Sequence, residues 1–494
     1  MRAQAPACFA GLQVPADRGM KNYRSKPLER SQIVGYHSEW NLGSPGGWDY
    51  QRMAQQIGKR VWQSLRAAGT LPDIEIDFDA PLLSPVDAFV DLLVDAHRRR
   101  RGRAAGLIAV VAEAETLDDV VENRNLARRL NAIDGLSGAL MAPHELELKN
   151  GRPCYRGTPV SIIFMDFNTD VLLRLHRKQN LAPLLEAVRR GQVVNPRGTE
   201  PINSKGVFEI ITDPERNGRF HAQTIARTPW TRRFYERSTR GPAGERIGDL
   251  IEWTRSHWDN LVLKPERGYS GKGVQVGGVH PDGDAAVARA LAAGNYIVQQ
   301  KVPLHLWAEE MPEYDAAGRR PVLTSYQTDF RCLFGPHETF GFVCRYGQVP
   351  TNVGSGGGFQ PLAVLRSDIS VGAATRRINA AIMRLDADVV QAAVAEQQRM
   401  AIDLQFTYLL GPVKIALRPR LIKDGQIRAL ERYCRYIWSD CLVLEKMWQA
   451  GELDDMIRIE AEELEIARQQ PWQGSAAIFA SDGIFSFGAH RKAA

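Results

Sequence analysis

The stretch Leu261 to Gly278, LVLKPERGYSGKGVQVGG, constrains the fold more than any other segment: an apolar run, a lysine, five glycines and a second, alternating run. A Walker A loop is excluded, because Gly271-Lys272 is followed by glycine and Glu266 stands where that motif needs its first glycine. A Rossmann fingerprint is excluded as well, since its glycines open a helix, whereas Val274 and Val276 alternate as in a strand. What remains is a β-hairpin whose loop, ERGYSGKG, can fold over phosphates and offer backbone N–H donors, with Lys264 projecting as a fixed cation. Taken alone, the same residues also fit a plain surface hairpin.

At 494 residues the chain is too long for one ordinary core, so two or three packed subdomains are expected. No segment reaches the roughly 18 apolar residues of a membrane span, and the first residues lack the apolar core of a secretory signal. Cys8, Cys154, Cys332, Cys344, Cys434 and Cys441 form no CxxC pair, which argues against a zinc site or a disulfide scaffold and for a reducing, cytoplasmic setting. The formal charge of +6 raises nucleic acid as a partner. Its only dense source, His97 to Arg103, carries no interleaved aromatic residue, so a small anionic substrate such as a nucleotide suits the excess better.

Between Gly106 and Gly198, strand and helix patterns alternate. GLIAVVA is a buried strand, residues 115–133 an amphipathic helix, PVSIIFMDF a second strand, and DVLLRLHRKQNLAPLLEAVRRG a helix that Thr169 can cap and Pro183 interrupts. QVVNP follows as a third strand, and the alternation predicts a parallel, doubly wound sheet. From Asn260 strands dominate, with a helix at 284–294, and residues 321–365 form an antiparallel sheet. Beyond about residue 370 the pattern is helical, over DVVQAAVAEQQRMAIDL and LDDMIRIEAEELEIARQQ.

The segment Tyr296 to Val302, YIVQQKV, follows the glycine hairpin, and together they resemble the ATP-grasp superfamily, in which a VxKP strand and glycine loop precede a strand of the YVVQEYV type. The resemblance implies that Gln299, Gln300, Lys301 and Val302 lie at the adenine edge. It further implies that Lys264, with Gly268, Tyr269, Ser270, Gly271 and Gly273 of the loop, holds the phosphates. VVNPRGTEPINSKG resembles the run that opens the nucleotide domain, which implies Lys205 as a second nucleotide lysine; by itself it is a lysine near a helix start, either rationalised by a bound anion or merely solvated. DFRCLFGPHETFGFVCRYGQVPTNVGSGGGFQP is similar to the R…G…R…N..GG block. On that pattern Arg331 and Arg345 face the γ-phosphate and acyl oxygens, and Asn352 with Gly356 to Gly358 shapes the substrate end. Surface ion pairs are the alternative for either arginine.

ATP-grasp ligases need Mg2+ on the ATP phosphates, held by hard oxygen donors, usually a Glu-x-Asn pair after the block just described. Nothing after residue 366 offers one. Near the start, SEWNLGSPGGW places Glu39 and Asn41 two apart on a strand, where both can reach one ion, and it resembles the SEVNSDVPGG segment of circularly permuted, glutathionylspermidine-synthetase-like ATP-grasp proteins. The resemblance runs from about residue 30 to 366 and implies a permuted order: metal strand first, β-α domain next, glycine loop later. Two positions depart from it. The aspartate expected shortly before Glu39 is missing, leaving Glu29 nearby and Asp329 as a substitute. IIFMDFN stands where the family carries paired arginines, so Asp166 and Asn168 imply a cationic or amine-bearing substrate, unless Asp166 simply supports the helix start at Thr169.

The expected fold is therefore an α/β ATP-grasp fold in circularly permuted order. Residues 1–84 hold the arm and metal strand, 85–200 the β-α domain, 201–303 the nucleotide subdomain, 304–370 the second ATP-grasp subdomain and 371–494 a helical region. The expected activity is an ATP-dependent carboxylate-amine ligase working through an acyl phosphate on small-molecule acid and amine substrates. A nucleotide-binding subunit without catalysis and a phosphotransferase are the alternatives. Neither substrate is named by the sequence, and a homo-oligomer is left open.

Overall fold

The computed structural model describes residues 33–488 except 70, 103–104, 269–270, 281, 303–307, 349–350, 352, 354–355 and 409–410. Tyr269, Ser270, Asn352 and Glu29, singled out above, lie outside the described residues.

The β-α region folds as expected. Strands Leu136–Met141, Gly106–Val111, Thr158–Met165 and Val193–Val194 lie side by side in parallel, and Arg152–Tyr155 and Glu147–Lys149 extend the sheet antiparallel. Period-two alternation sends Ile108, Val110, Ile162 and Phe164 to one face and Leu107, Ala109, Val111 and Ile163 to the other, and each set joins a different core. Phe164 meets Phe89 of helix Val86–Arg101 at 5.0 Å between ring centroids, while Leu184 and Val188 of helix Ala182–Arg189 cover the opposite face. The helix expected over 115–133 is confined to Val121–Asn131, and the proline-broken one splits into Thr169–His176 and Ala182–Arg189. Asn168, not Thr169, occupies the N-cap position, and the Thr169 N–H is satisfied by the buried Glu200 carboxylate at 2.9 Å.

The glycine hairpin belongs to a four-stranded antiparallel sheet ordered Gln275–Val276, Leu261–Pro265, Tyr296–Gln300, Thr231–Arg233. It closes over its own small core, which includes Trp230, Trp258, Leu263, Val287 and Val298, with helix Gly283–Ala293 on one side. Gly273 is required in the loop: its φ is +77°, and a Cβ there would sit 2.9 Å from Pro265 Cγ.

The largest sheet has seven strands and joins distant parts of the chain. Its order is Val34–Asn41, Phe479–Ser486, Arg320–Phe334, Thr339–Gly347, Gly358–Phe359, Lys414–Ile415, with Glu309–Asp315 also paired to Arg320–Phe334. The region expected to be helical thus differs from expectation, because it returns a strand, Phe479–Ser486, to the middle of this sheet. Its longest helix, Asp424–Gln449, buries Leu430, Tyr433, Ile437, Trp438, Cys441 and Leu444 at helical spacing. Trp438 and Tyr433 meet Phe479 and Phe485 of the returning strand at 4.8 and 5.8 Å, which anchors that strand to the helix. Among the described residues no helix is long and apolar enough to cross a membrane.

Candidate functional site

Segments far apart in sequence converge on one cavity of about 570 Å³. The first strand contributes Glu39 and Asn41. A β-bulge between His37 and Glu39 shifts the alternation there, so His37 and Trp40 both turn into the core, 5.3 Å apart, while Glu39 and Asn41 line the cavity. His37 is held between Tyr433 and Thr228, and burial first, then the nearby Arg227, keeps its pKa low, at about 3. A neutral histidine thereby locks the back of the strand that carries the two donors.

Opposite Glu39 in the strand register stands Asp482. It is buried, and both its oxygens accept from Arg331, Nε and Nη2, at 2.6 Å. Asp329 and Arg331 alternate on the neighbouring strand, and Asp329 faces Arg345 in register, accepting from its Nη2 at 2.7 Å. Burial disfavours ionisation at Asp482, but Arg331 and Arg345 outweigh it and hold the carboxyl below its ordinary range. At Asp329 burial wins over Arg345, with Asp482 adding to it, so this carboxyl is pushed up. Its Oδ1 is buried without a hydrogen-bond partner.

The lysines approach from the glycine-hairpin side. Lys264 Nζ donates to Gln299 Oε1 at 2.9 Å and reaches the Ser38 carbonyl at 3.4 Å. Lys205 Nζ lies 3.5 Å from Glu39 Oε2 and donates to the Gly268 carbonyl at 3.1 Å. Burial lowers the Lys264 pKa to about 8, with Lys205 adding to the fall and Glu39 and Asp482 opposing it. Two lysines that each raise the other's need for an anion, beside a glycine loop, form a cradle suited to phosphoryl oxygens.

Of the residues read from the sequence, Glu39, Asn41, Lys205, Lys264, Gly268, Gly271, Asp329, Arg331 and Arg345 line this one cavity. Gly273, Gln299, Gln300, Lys301 and Val302 do not. The Gln299 side chain is consumed between Lys264 and Thr231, and Lys301 is turned to the Gly277 carbonyl at 2.8 Å. Sequence reasoning missed Asp482 and Lys272; at the other end of the cavity it had singled out Asp166 and Asn168 but not Tyr50, Glu113, Glu122, Phe406 and Tyr408, which line it with them. FASDGIFS around Asp482 shows no apolar–polar alternation, and nothing local says what that strand pairs with.

Oxygen donors suited to a hard divalent cation are present. The Asn41 amide faces the cavity, Glu39 and Asp482 are neighbours across the sheet, and Asp329 presents an orphaned oxygen. Among the described residues no three carboxylate, histidine or cysteine side chains are already gathered around a common point. The donor chemistry fits magnesium, with Glu39 and Asp482 now engaged by Lys205 and Arg331.

No family model matches the chain, and no curated protein matches it. Among solved structures it is similar to D-alanyl-alanine synthetase A from Vibrio cholerae, at 11% identity over 46% of this chain and 67% of that one, with a TM-score of 0.26. It is also similar to a RimK domain ATP-grasp protein from Sphaerobacter thermophilus, at 14% identity over 57% of this chain and 99% of that one, with a TM-score of 0.26. A third likeness is to the D-cycloserine synthetase DcsG, at 12% identity over 68% and 100% of the two chains, with a TM-score of 0.25. Likenesses this distant carry no functional weight, so the chemistry is argued from the residues.

Proposed function

We propose that this chain is an ATP-dependent carboxylate-amine ligase with an ATP-grasp site in circularly permuted order. The observation that carries the proposal is the convergence of Lys205, Lys264, Arg331 and Arg345 with Glu39, Asn41 and Asp482 on one cavity beside a glycine hairpin. Each side chain then has one task. Lys264 and Lys205 bind phosphoryl oxygens under the glycine loop, and Arg331 and Arg345 neutralise the charge that develops between a transferring phosphoryl group and an acceptor carboxylate. Glu39, Asn41 and Asp482 are the residues that would hold magnesium, which would supply Lewis-acid neutralisation of phosphate charge. Positioning and charge neutralisation suffice for this chemistry, and no covalent nucleophile is needed.

The permuted order is supported by the pairing of Val34–Asn41 with Phe479–Ser486. The aspartate missing ahead of Glu39 in the sequence has a spatial counterpart in Asp482, supplied from the far side of the chain. On this reading the break in the family order falls between these two strands.

ADP release measured with pools of carboxylates and amines tests the proposal, with hydroxylamine added to trap an acyl phosphate as the hydroxamate. Amine-dependent ADP release and hydroxamate formation are expected. Among the described residues no carboxylate trio is preassembled, which favours one rival, a nucleotide-binding subunit without catalysis. ATP binding with no ADP release for any acid and amine pair would decide for it.

A further inference from the structure

The cavity has a second end whose electrostatics run opposite to the first. Asp166 accepts from Asn123 at 2.6 Å through Oδ2, and its side chain lines the cavity. Glu122 accepts from the Gly47 and Asp49 N–H groups at 3.0 and 3.3 Å. Neither carboxyl meets a cation among the described residues, whereas Glu113 nearby is paired with Arg174 at 2.6 Å. Asn168, two residues beyond Asp166 and 4% exposed, lines the same cavity with its buried Oδ1 unpartnered. Asn168 Oδ1 is packed against Gly43, so of this pair it is the Asp166 carboxyl, without a cation partner among the described residues, that is left for a ligand's donor.

An aromatic wall borders these acceptors. Tyr50 stacks on Phe406 at 5.6 Å, Phe359 meets Phe406 at 5.3 Å, and Tyr408 stands 42% exposed at the rim. The two ends of the cavity meet at a single peptide: the Gly46 carbonyl accepts from Arg331 Nη1 at 2.7 Å, and the next N–H, of Gly47, goes to Glu122. Close approach is built in there, because a Cβ on Gly46 would fall 2.7 Å from Glu122 Oε1.

We infer that this acidic, aromatic end seats the amine substrate, and that the substrate is a primary ammonium ion on an aromatic or apolar body, received by the Asp166 carboxyl. The inference rests on the ligase reading for calling the ligand a substrate, but not for its binding. An ammonium offers three donors to an array of acceptors, and its charge is attracted both by the carboxyls and by the faces of Tyr50 and Tyr408. A carboxylate of the same shape would face the Asp166 carboxyl and no cation among the described residues lining that end, so the cavity sorts its two substrates by sign: acid toward Arg331 and Arg345, amine toward Asp166.

Calorimetry on the full chain with ADP and magnesium present tests this, using phenethylamine, ethylamine, 2-phenylethanol and 3-phenylpropionate as probes. Phenethylamine should bind at least about tenfold tighter than each of the others. Asp166→Asn should weaken it by roughly 10- to 100-fold, and Tyr408→Ala, at an exposed position that leaves the core intact, by several-fold, both without change in ADP affinity. Equal binding of 3-phenylpropionate, or unaltered phenethylamine affinity in both variants, overturns the inference. Hydroxamate formation without binding of any amine probe overturns it and leaves the ligase reading standing. Selective amine binding without ADP release supports this site and sinks the ligase reading instead.

Discussion

At one end of the cavity the charges answer one another: Lys205 faces Glu39, Arg331 grips Asp482 and Arg345 holds Asp329. At the other end, among the described residues, the hydrogen-bond partners of Glu122 and Asp166 are amides, from Gly47, Asp49 and Asn123. The consequence is electrical. Arg331 keeps the buried Asp482 ionised, while beside Arg345 burial still raises Asp329, so a ligand at the first end must exchange with partners already in place. Unpaired groups retreat toward neutrality: burial first, with Asp166 and Asp49 adding to it against the Gly47 hydrogen bond, raises Glu122 to about 8. Burial, reinforced by Glu113 and opposed by Asn123, raises Asp166 to about 6. The first end is wired in advance, and the second gains charge when a cation comes.

The contrast can be broken most severely at Arg331. Arg331→Ala leaves Asp482 buried without its bidentate partner and should cost about 3–5 kcal/mol in urea unfolding, along with all turnover. A loss under about 1 kcal/mol would mean that the pair is not the keystone described here. Glu39→Gln acts on chemistry alone, because Glu39 is about one-third exposed, at 36%, and its lysine partner can turn to solvent or to Gly268. Steady-state ADP release should fall by roughly 10²–10³-fold with the melting temperature unchanged. Undiminished turnover would remove Glu39 from the metal set and with it the best support for the ligase reading.

At the other end the effects are smaller and depend on pH. The folded Glu122 keeps a proton that the unfolded chain releases near 4.5, so its contribution to stability is full below that value and is lost as pH climbs through about 8. Denaturant unfolding between pH 5 and 8 should show stability declining by at most about 1.4 kcal/mol per pH unit, and Glu122→Gln should flatten that slope. An identical slope in the variant would assign the effect elsewhere. The smallest effect returns to the cationic end. Lys264, lowered to about 8, is half neutral at that pH, and an arriving polyphosphate restores its charge. ATP binding at pH 8 should take up as much as about half a proton, seen as a dependence of binding enthalpy on buffer ionisation heat, and affinity should weaken above pH 8. Buffer-independent enthalpy would place the phosphates away from Lys264.

What could be read from the sequence follows the same divide. The glycine hairpin, the parallel β-α sheet and the outward pair Glu39 and Asn41 are local patterns, written in periodicity and in residues that few other conformations tolerate. Asp482, Tyr50, Phe406 and Tyr408 carry no motif. Each acquires meaning from pairing or packing with residues hundreds of positions away, and that is set by the whole fold. The bulge after His37 is of the same kind: strict alternation would place His37 with Glu39 on one face, and only the register against Phe479–Ser486 separates them. The role implied for Gln299 met a competing local demand, since Lys264 and Thr231 take up its amide.

The pairing of the first strand with the last also sets a clock on synthesis. Ser38 and Asp482, joined by a hydrogen bond, are separated by 444 positions, so on the ribosome the strand bearing Glu39 emerges long before its neighbour exists. For that interval an edge of Val34–Asn41 that ends up covered is open to wrong partners, the kind of exposure that recruits chaperones. Any nascent chain released before residue 482 lacks both the neighbouring strand and the counter-charge of Arg331. Translation that stops short therefore leaves Arg331 without the carboxylate that its Nε and Nη2 both contact, and Val34–Asn41 without its neighbour.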